Sequence, residues 1–302
     1  MTIKTKLLAL ITLLLFVACE KSVETTQTTQ KPVVSTVNYP LYYFADRLAG
    51  DLCEVRFDAP SDIDPAFWQP TAEHIASFQQ SDLILLNGAS YAKWLSKSSL
   101  PEDRLVDTSL SFQDKLIETH DSNPHAHGDG DVHSHAGTAF TTWLDFEQAA
   151  QHVQSISTNL IKLLPDSAET ISKRTEELVA ELNALNQELA EITSKIEDPL
   201  LASHPVYHYL ARAYDLKILS LIWEPEMTLT PDHLEELQLQ REMVSTARHF
   251  IWEGEPLPAL TTTLSEKGLT SLVFSPCSNR PEEGDFMTVM RANLDALRAI
   301  TQ

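Results

Sequence analysis

The chain has 302 residues, enough for one or two domains with a sizeable buried core. It carries 22 lysine and arginine residues against 43 aspartate and glutamate residues, a formal net charge of −21. Because binding to a phosphate backbone requires a clustered positive surface, this charge argues against a nucleic-acid partner. The sequence has only 8 glycines and lacks both glycine-rich patterns that cradle nucleotide phosphates, so nothing predicts a nucleotide-binding loop.

The N-terminal segment, residues 1–18, is predicted to be a signal peptide. Lys4 and Lys6 precede an apolar run over residues 7–18. Twelve helical residues would span about 18 Å, too short for the ~30 Å hydrocarbon core of a bilayer, so a membrane span is not predicted. The end of the run resembles a bacterial lipobox, which predicts lipidation of Cys19. The alternative is ordinary cleavage at the same place, with a free thiol.

Residues 19–31 follow as a polar tether without apolar periodicity. The folded part is therefore expected to be exported and lipid-anchored in the bacterial cell envelope, facing the periplasm. Two further cysteines, Cys53 and Cys277, lie far apart in the sequence. A bridge between them would lock the two halves of the chain together, so we predict two separate buried thiols.

Residues 32–165 predict an N-terminal α/β lobe. Short apolar segments typical of strands alternate with helical patterns, as in a parallel sheet with helices on its faces. The predicted strands are residues 33–37, 55–57, 83–86 and 105–106, and the predicted helices lie around residues 42–48, 72–80 and 90–96.

The same alternation returns in residues 199–302 and predicts a C-terminal α/β lobe. The predicted strands are residues 200–203, 218–222, 250–252 and 271–274, and the predicted helices are residues 208–214, 231–246, 257–267 and 285–300.

Between the lobes, residues 166–198 predict one long spine helix. Apolar residues recur there mostly three and four positions apart, with no glycine or proline. A helix of ~32 residues would be about 48 Å long, enough to run the height of two lobes. A coiled coil is the alternative for such a stripe. We prefer a spine because the flanking lobes can cover it, and the predicted fold class is therefore α/β, with two sheet-containing lobes joined by one rigid helix.

The segment 118–137 breaks the alternation and carries five of the eleven histidines. Imidazole is a preferred ligand of zinc, copper and nickel, and His-x-His pairs offer two imidazoles to one cation. The segment therefore predicts a weak, exchangeable metal-collecting loop. The alternative is a solvated loop whose histidines bind nothing. The five histidines are His120, His125, His127, His133 and His135.

Several short motifs, taken in order, resemble one known family. They are residues 38–45, residues 81–89 with Trp94, residues 143–145 after the His-rich segment, and residues 290–297. Together with the lipobox and the spine they are similar to the ZnuA/TroA-like substrate-binding proteins of ABC importers for zinc and manganese. The resemblance implies a monomer with a divalent metal, zinc foremost, in the cleft between two lobes. It also implies an ABC permease and its ATPase as partners.

The resemblance further implies four metal ligands, of which the sequence keeps one. His204 matches the third family histidine at a strand end. The positions of the other three ligands are occupied by Ala66, Thr141 and Ser275. A single imidazole without a carboxylate would not hold zinc tightly.

Three hypotheses therefore stay open for the ligand. A rearranged cleft site could combine His204 with His208, Cys277, Glu253, Glu255 or Asp64. Alternatively, the cleft site is lost and the His-rich loop acts as an accessory metal collector. In the third hypothesis the cleft holds an organic ligand or a metal chelate between aromatic side chains. These are Phe67, Trp68, Trp143, Tyr207 and Trp223.

No enzyme is predicted. The sequence contains neither the HExxH pattern of metalloproteases nor the GxSxG pattern of serine hydrolases. The remaining histidines are interpreted as surface or core residues: His74, His152, His233 and His249.

Overall fold

Two four-stranded parallel sheets organise residues 31–119 and 137–301, the part of the chain that the computed structural model describes. The first has the strand order β2-β1-β3-β4 and the second β10-β9-β7-β8, while β5 and β6 form a short antiparallel pair. The strands are β1 Val33–Thr36, β2 Glu54–Arg56, β3 Leu83–Leu86, β4 Leu105–Asp107, β5 Glu118–Thr119, β6 Gly137–Thr138, β7 Leu200–Ala202, β8 Ile218–Ser220, β9 His249–Trp252 and β10 Thr270–Val273.

Eight α-helices accompany these strands in the described residues. They are α1 Tyr39–Ala49, α2 Ala72–Gln80, α3 Phe146–Leu163, α4 Ala168–Thr193, α5 His208–Ala213, α6 Pro231–Met243, α7 Pro258–Glu266 and α8 Phe286–Ala299. None of the described helices is long and apolar enough to span a membrane. The predicted signal peptide, Cys19 and the five histidines of the His-rich loop lie outside the described residues.

Capping side chains fix where helices α1 and α3 begin. The Asn38 side chain accepts the Leu41 N–H at 3.0 Å at the start of α1. The Asp145 carboxylate accepts the N–H groups of Glu147 and Gln148 at 3.0 and 3.3 Å at the start of α3. Each cap satisfies N–H groups that have no partner inside the helix.

The predicted spine is helix α4, and its apolar stripe is buried as expected. The buried stripe consists of Ile171, Leu178, Leu182, Leu185, Leu189 and Ile192. The helix packs against α3 on one side and α8 on another. Charged side chains add contacts with α1, because Arg47 pairs with Glu181 at 2.7 Å and Arg174 donates to the Ala49 carbonyl at 2.7 Å.

The spine is shorter than the predicted range 166–198. A 3₁₀ turn over Pro165–Ser167 precedes α4. At the other end the N–H groups of Lys195 and Ile196 bond to the carbonyls three residues earlier, at 3.1 and 2.9 Å. Such bonds tighten the last turn and end the α-helix at Thr193.

Two other local predictions need correction or extension. The segment 90–96 is not an α-helix; a 3₁₀ helix covers Lys93–Lys97, because Ala89 and Ser90 have φ values of 50° and 54°. Helix α3 was not predicted at all.

Cys53 and Cys277 are buried and form no disulfide with each other, which confirms two separate thiols.

Candidate metal centre

The carboxyl ends of three neighbouring strands bring His204, Glu224 and Glu253 together. His204 lies two residues beyond β7, Glu224 four residues beyond β8, and Glu253 directly after β9. Because β7 lies between β8 and β9 in the second sheet, these residues emerge at the same edge. In open α/β sheets this edge is the usual position of bound ligands.

Ser203 ties the three strand ends to one another. Its N–H donates to the Ile251 carbonyl at 2.8 Å, and its own carbonyl accepts the Trp223 N–H at 2.8 Å. Its hydroxyl oxygen accepts the Glu253 N–H at 3.3 Å. Hydrogen bonds of Ser203 therefore position the backbone next to each candidate ligand. The spacing of the three side chains follows from how these strand ends are bonded to one another.

The distances within this group suit a metal ion. The Nδ1 atom of His204 lies 3.7 Å from Oε1 of Glu224 and 3.6 Å from Oε1 of Glu253. One donor atom from each of the three side chains lies within 4.8 Å of the other two. Two ligands of a tetrahedral zinc are about 3.4 Å apart when each bond is about 2.1 Å. Small side-chain rotations would therefore bring all three donors onto one cation.

The electrostatics of the group also favour a cation. The His204 side chain is 1% exposed, and those of Glu224 and Glu253 are 25% and 21% exposed. Burial raises the pKa of the Glu253 carboxyl well above its usual range, and repulsion from Glu224, Asp64 and Glu226 raises it further. A bound cation would relieve this repulsion and favour the ionised carboxylate.

Asp64 belongs to the loop between β2 and α2. Its Oδ1 accepts the Ala66 N–H at 2.9 Å. Its charge is one of those that raise the pKa of the Glu253 carboxyl.

The structure does not bring the other predicted contributors to the group. His208 is the first residue of α5, half-buried, and lines a small pocket with Thr119 and Pro205. The Cys277 thiol is buried and its pKa is raised to about 12 by burial and by Asp285, which disfavours the thiolate that binds metals. The Glu255 side chain is exposed.

The three positions at which the family resemblance implies further ligands serve packing and backbone bonding. Ala66 is fully buried. The Thr141 hydroxyl donates to the Val206 carbonyl at 2.5 Å. The Ser275 hydroxyl oxygen accepts the Cys277 N–H at 3.2 Å.

The aromatic side chains proposed for an organic ligand belong to the core, with one exception. Trp68, Trp143, Tyr207 and Trp223 are at most 5% exposed, whereas Phe67 is half-buried. Their polar atoms bond to other parts of the protein: the Trp143 indole donates to the Pro276 carbonyl at 2.7 Å and the Tyr207 hydroxyl to the Phe274 carbonyl at 2.9 Å.

Glu224 is the candidate ligand that sequence reasoning missed. A signal for it exists, since the dipeptide Trp-Glu occurs at Trp223-Glu224 and again at Trp252-Glu253. Both copies follow strands of the same parallel sheet. An acidic residue that follows each of two strands in one sheet is expected to meet the other at the carboxyl edge.

Known proteins similar to this chain include a zinc uptake protein and a zinc-binding lipoprotein. The high-affinity zinc uptake system protein ZnuA of Bacillus subtilis is 27% identical over 275 residues, covering 88% of this chain and 86% of that protein. The zinc-binding lipoprotein AdcA of Streptococcus pneumoniae is 27% identical over 307 residues, covering 98% of this chain. The chain spans only 60% of the length of AdcA.

Solved structures show the same fold. The metal-dependent lipoprotein YcdH of Bacillus subtilis superposes with a TM-score of 0.76 at 24% identity, covering 89% of this chain and 98% of that one. Zn(II)-bound AdcA of Streptococcus pneumoniae gives a TM-score of 0.75 at 23% identity, covering 90% of this chain and 58% of that one. These likenesses confirm the predicted α/β fold with two parallel sheets flanked by helices.

A family model settles the relationship. The model described as "Zinc-uptake complex component A periplasmic" matches residues 33–300, nearly all of the folded part. The family consists of binding components of an uptake complex and not of enzymes. The chain belongs to this ZnuA family, as its sequence motifs predict.

Proposed function

We propose that this chain is the substrate-binding component of an ABC importer, which captures a divalent metal and delivers it to a permease with its ATPase. Zinc is the proposed cargo, in line with the zinc named for its relatives. The observation that carries the metal assignment is the convergence of His204, Glu224 and Glu253 at one edge of a sheet.

The chemistry of the three donors supports this role. Neutral imidazole nitrogen and carboxylate oxygen are both common zinc ligands, and carboxylates also suit manganese. With His204 neutral and both glutamates ionised, the group carries the two negative charges that balance a divalent cation. Because burial favours a protonated Glu253 in the absence of metal, binding is expected to release a proton.

We propose the His-rich segment as an accessory collector that works with this site. The strands β5 and β6 flank residues 120–136 and pair with each other. Thr119 and Thr138 in those strands line the same small pocket as Pro205, the residue that follows His204. The pairing of β5 with β6 therefore supports an arrangement in which the collecting segment begins and ends beside the candidate cleft site.

We also propose that the chain is exported, cleaved after residue 18 and anchored through a lipid on Cys19, and that it acts as a monomer. The apolar N-terminal run and the lipobox-like sequence support this location. The names of the relatives AdcA and YcdH as lipoproteins are consistent with it.

Zinc titration of the full chain tests the assignment of the site. We expect two classes of site: a tight class lost in His204→Ala and in the double variant Glu224→Gln/Glu253→Gln, and a weaker class lost on deletion of residues 120–136. Glu255→Gln is the matched control, because it removes the same charge from an exposed carboxylate two residues from Glu253. If His204→Ala binds zinc as the wild type does, the cleft site is wrong and metal capture belongs to the His-rich segment.

A further inference from the structure

We propose that a buried aromatic platform positions the two glutamates of the candidate centre, and that Glu236 anchors this platform. The platform consists of the side chains of Trp223, Phe250 and Trp252. The proposal rests on the function proposed above and adds a reason why the same site selects zinc over a cation that tolerates a looser arrangement of ligands. The platform residues and Glu236 are positioning residues and do not bind the metal.

Each candidate glutamate directly follows a tryptophan of the platform. Glu224 follows Trp223, and Glu253 follows Trp252. Both tryptophans are fully buried, whereas the side chains of the two glutamates are 25% and 21% exposed. Because neighbouring Cα atoms are only about 3.8 Å apart, a tryptophan that is held in place leaves the backbone of its glutamate little freedom to move.

The three rings of the platform pack on one another. The ring centroids of Phe250 and Trp252 lie 4.7 Å apart, and the centroid of Trp223 lies 5.4 Å from that of Phe250 and 6.2 Å from that of Trp252. Aromatic pairs at such separations attract each other, and a close-packed interior resists displacement. Since β7 lies between β8 and β9, these ring contacts join two strand ends that do not pair with each other. The platform therefore sets the separation of the two tryptophans.

Hydrogen bonds hold both indole rings. The Trp223 Nε1–H donates to Oε2 of Glu236 at 3.3 Å, and the Trp252 Nε1–H donates to the Ser271 hydroxyl oxygen at 3.1 Å. Glu236 lies on α6 next to Leu237, whose buried side chain belongs to the same hydrophobic cluster as the platform. A hydrogen bond to a carboxylate is stronger than one between neutral groups. Glu236 thus fixes the orientation of the Trp223 ring.

The segments that follow the two glutamates are joined as well. The Leu257 N–H donates to the Pro225 carbonyl at 2.9 Å. A Cβ placed on Gly254 would lie 3.5 Å from Cγ of Pro225, which is an ordinary van der Waals distance, so the two segments lie side by side. Each glutamate is therefore held between a tryptophan of the platform before it and a joined segment after it.

This support makes the spacing of the two carboxylates a property of the protein and not of the metal. Oε1 of Glu224 and Oε1 of Glu253 lie 3.7 and 3.6 Å from Nδ1 of His204. These distances are close to the about 3.4 Å between two ligands of a tetrahedral zinc. Manganese favours oxygen ligands in an octahedral arrangement and accepts water among them, so water can replace a displaced carboxylate. Loosening the platform should therefore weaken zinc binding more than manganese binding.

Glu236→Leu in the full chain tests the proposal, with zinc and manganese ions as the probes. The change removes the acceptor of the Trp223 indole and should raise the zinc Kd of the tight site about 10-fold, as is usual for residues that orient metal ligands. The zinc-to-manganese affinity ratio should fall, because the manganese Kd changes less. Glu236→Gln keeps an oxygen acceptor and should keep both wild-type values. Glu235→Leu is the matched control, since it removes the same charge from the exposed neighbouring residue of α6.

The visible spectrum of the cobalt-substituted protein is a second readout, because it reports the arrangement of the donors around the metal. The spectrum should change in Glu236→Leu and keep the wild-type form in Glu236→Gln. If Glu236→Leu does not fold, Trp223→Phe takes its place, since phenylalanine keeps an aromatic ring in the platform but lacks the indole N–H. It should lower the zinc-to-manganese affinity ratio in the same way.

The proposal is overturned if Glu236→Leu matches Glu235→Leu in zinc affinity and cobalt spectrum. It is also overturned if Glu236→Leu weakens zinc and manganese binding by the same factor, as a loss of folded protein alone would do, or if Trp223→Phe keeps the wild-type affinity ratio. In each case a tight site that disappears in His204→Ala leaves the proposed function standing, whereas a tight site that survives His204→Ala refutes that function as well.

Discussion

His152 should make the stability of the folded protein fall as the pH is lowered below about 6.5. The side chain is fully buried on α3. Its Nδ1 lies 2.7 Å from the Thr108 hydroxyl and its Nε2 lies 2.8 Å from the Thr142 hydroxyl. The Thr108 hydroxyl donates to the Leu86 carbonyl at 2.8 Å, so we infer that Nδ1 carries the proton of the neutral ring and that Nε2 accepts from Thr142.

The magnitude follows from the pKa in the two states. Burial lowers the pKa of His152 from 6.5 to about 3 in the folded protein. Between these two values the unfolded chain binds a proton that the folded protein does not, so the free energy of unfolding decreases as the pH falls. At 1.36 kcal/mol per pH unit, moving from about pH 7 to about pH 5 should remove about 2 kcal/mol.

Urea unfolding of the wild type and of His152→Gln at both pH values measures this loss. Glutamine can donate to one threonine and accept from the other but does not titrate. Acidic residues, including Glu253, contribute equally to both proteins, so the difference between them isolates the histidine. Equal pH dependence in the two proteins would refute the inference that His152 is buried in the neutral form.

Two further predictions concern the spine and the anchor. Leu185→Ala should lower the free energy of unfolding by about 2–5 kcal/mol because the side chain is buried, whereas Gln187→Ala on the exposed face should change it by less than about 0.5 kcal/mol. Equal effects would contradict the buried stripe. Cys19→Ser should move the exported protein from the membrane to the soluble fraction, since lipidation of that thiol supplies the anchor; unchanged fractionation would contradict lipidation.

Much of the fold could be predicted because its signals are local. Alternating apolar runs and helical patterns predicted all eight strands of the two parallel sheets, and the stripe in α4 predicted the spine. Helix α3 carries comparable signals, namely the Asp145 cap and buried residues from Phe146 to Leu160 at helical spacing. It begins soon after the His-rich segment, which interrupts the alternation of strands and helices from which the other elements were predicted.

The candidate site could be predicted only in part, because its assembly depends on strand order. His204, Glu253 and Asp64 were each candidates from the sequence, but nothing local says that β7 lies between β8 and β9. That order is what brings Glu224 to His204. The hydrogen bonds from Asn279 to the carbonyls of Pro60 and Ile63 are likewise invisible in sequence, since they join residues more than 200 positions apart.

The central claim is that His204, Glu224 and Glu253 bind the metal. The most direct measurement is a crystal structure of the zinc-loaded protein with anomalous scattering recorded at the zinc edge. We predict an anomalous peak about 2.0–2.1 Å from His204 Nδ1 and about 2.0–2.2 Å from carboxylate oxygens of both glutamates. Zinc found only on the histidines of residues 120–136, with no peak among these three side chains, would contradict it.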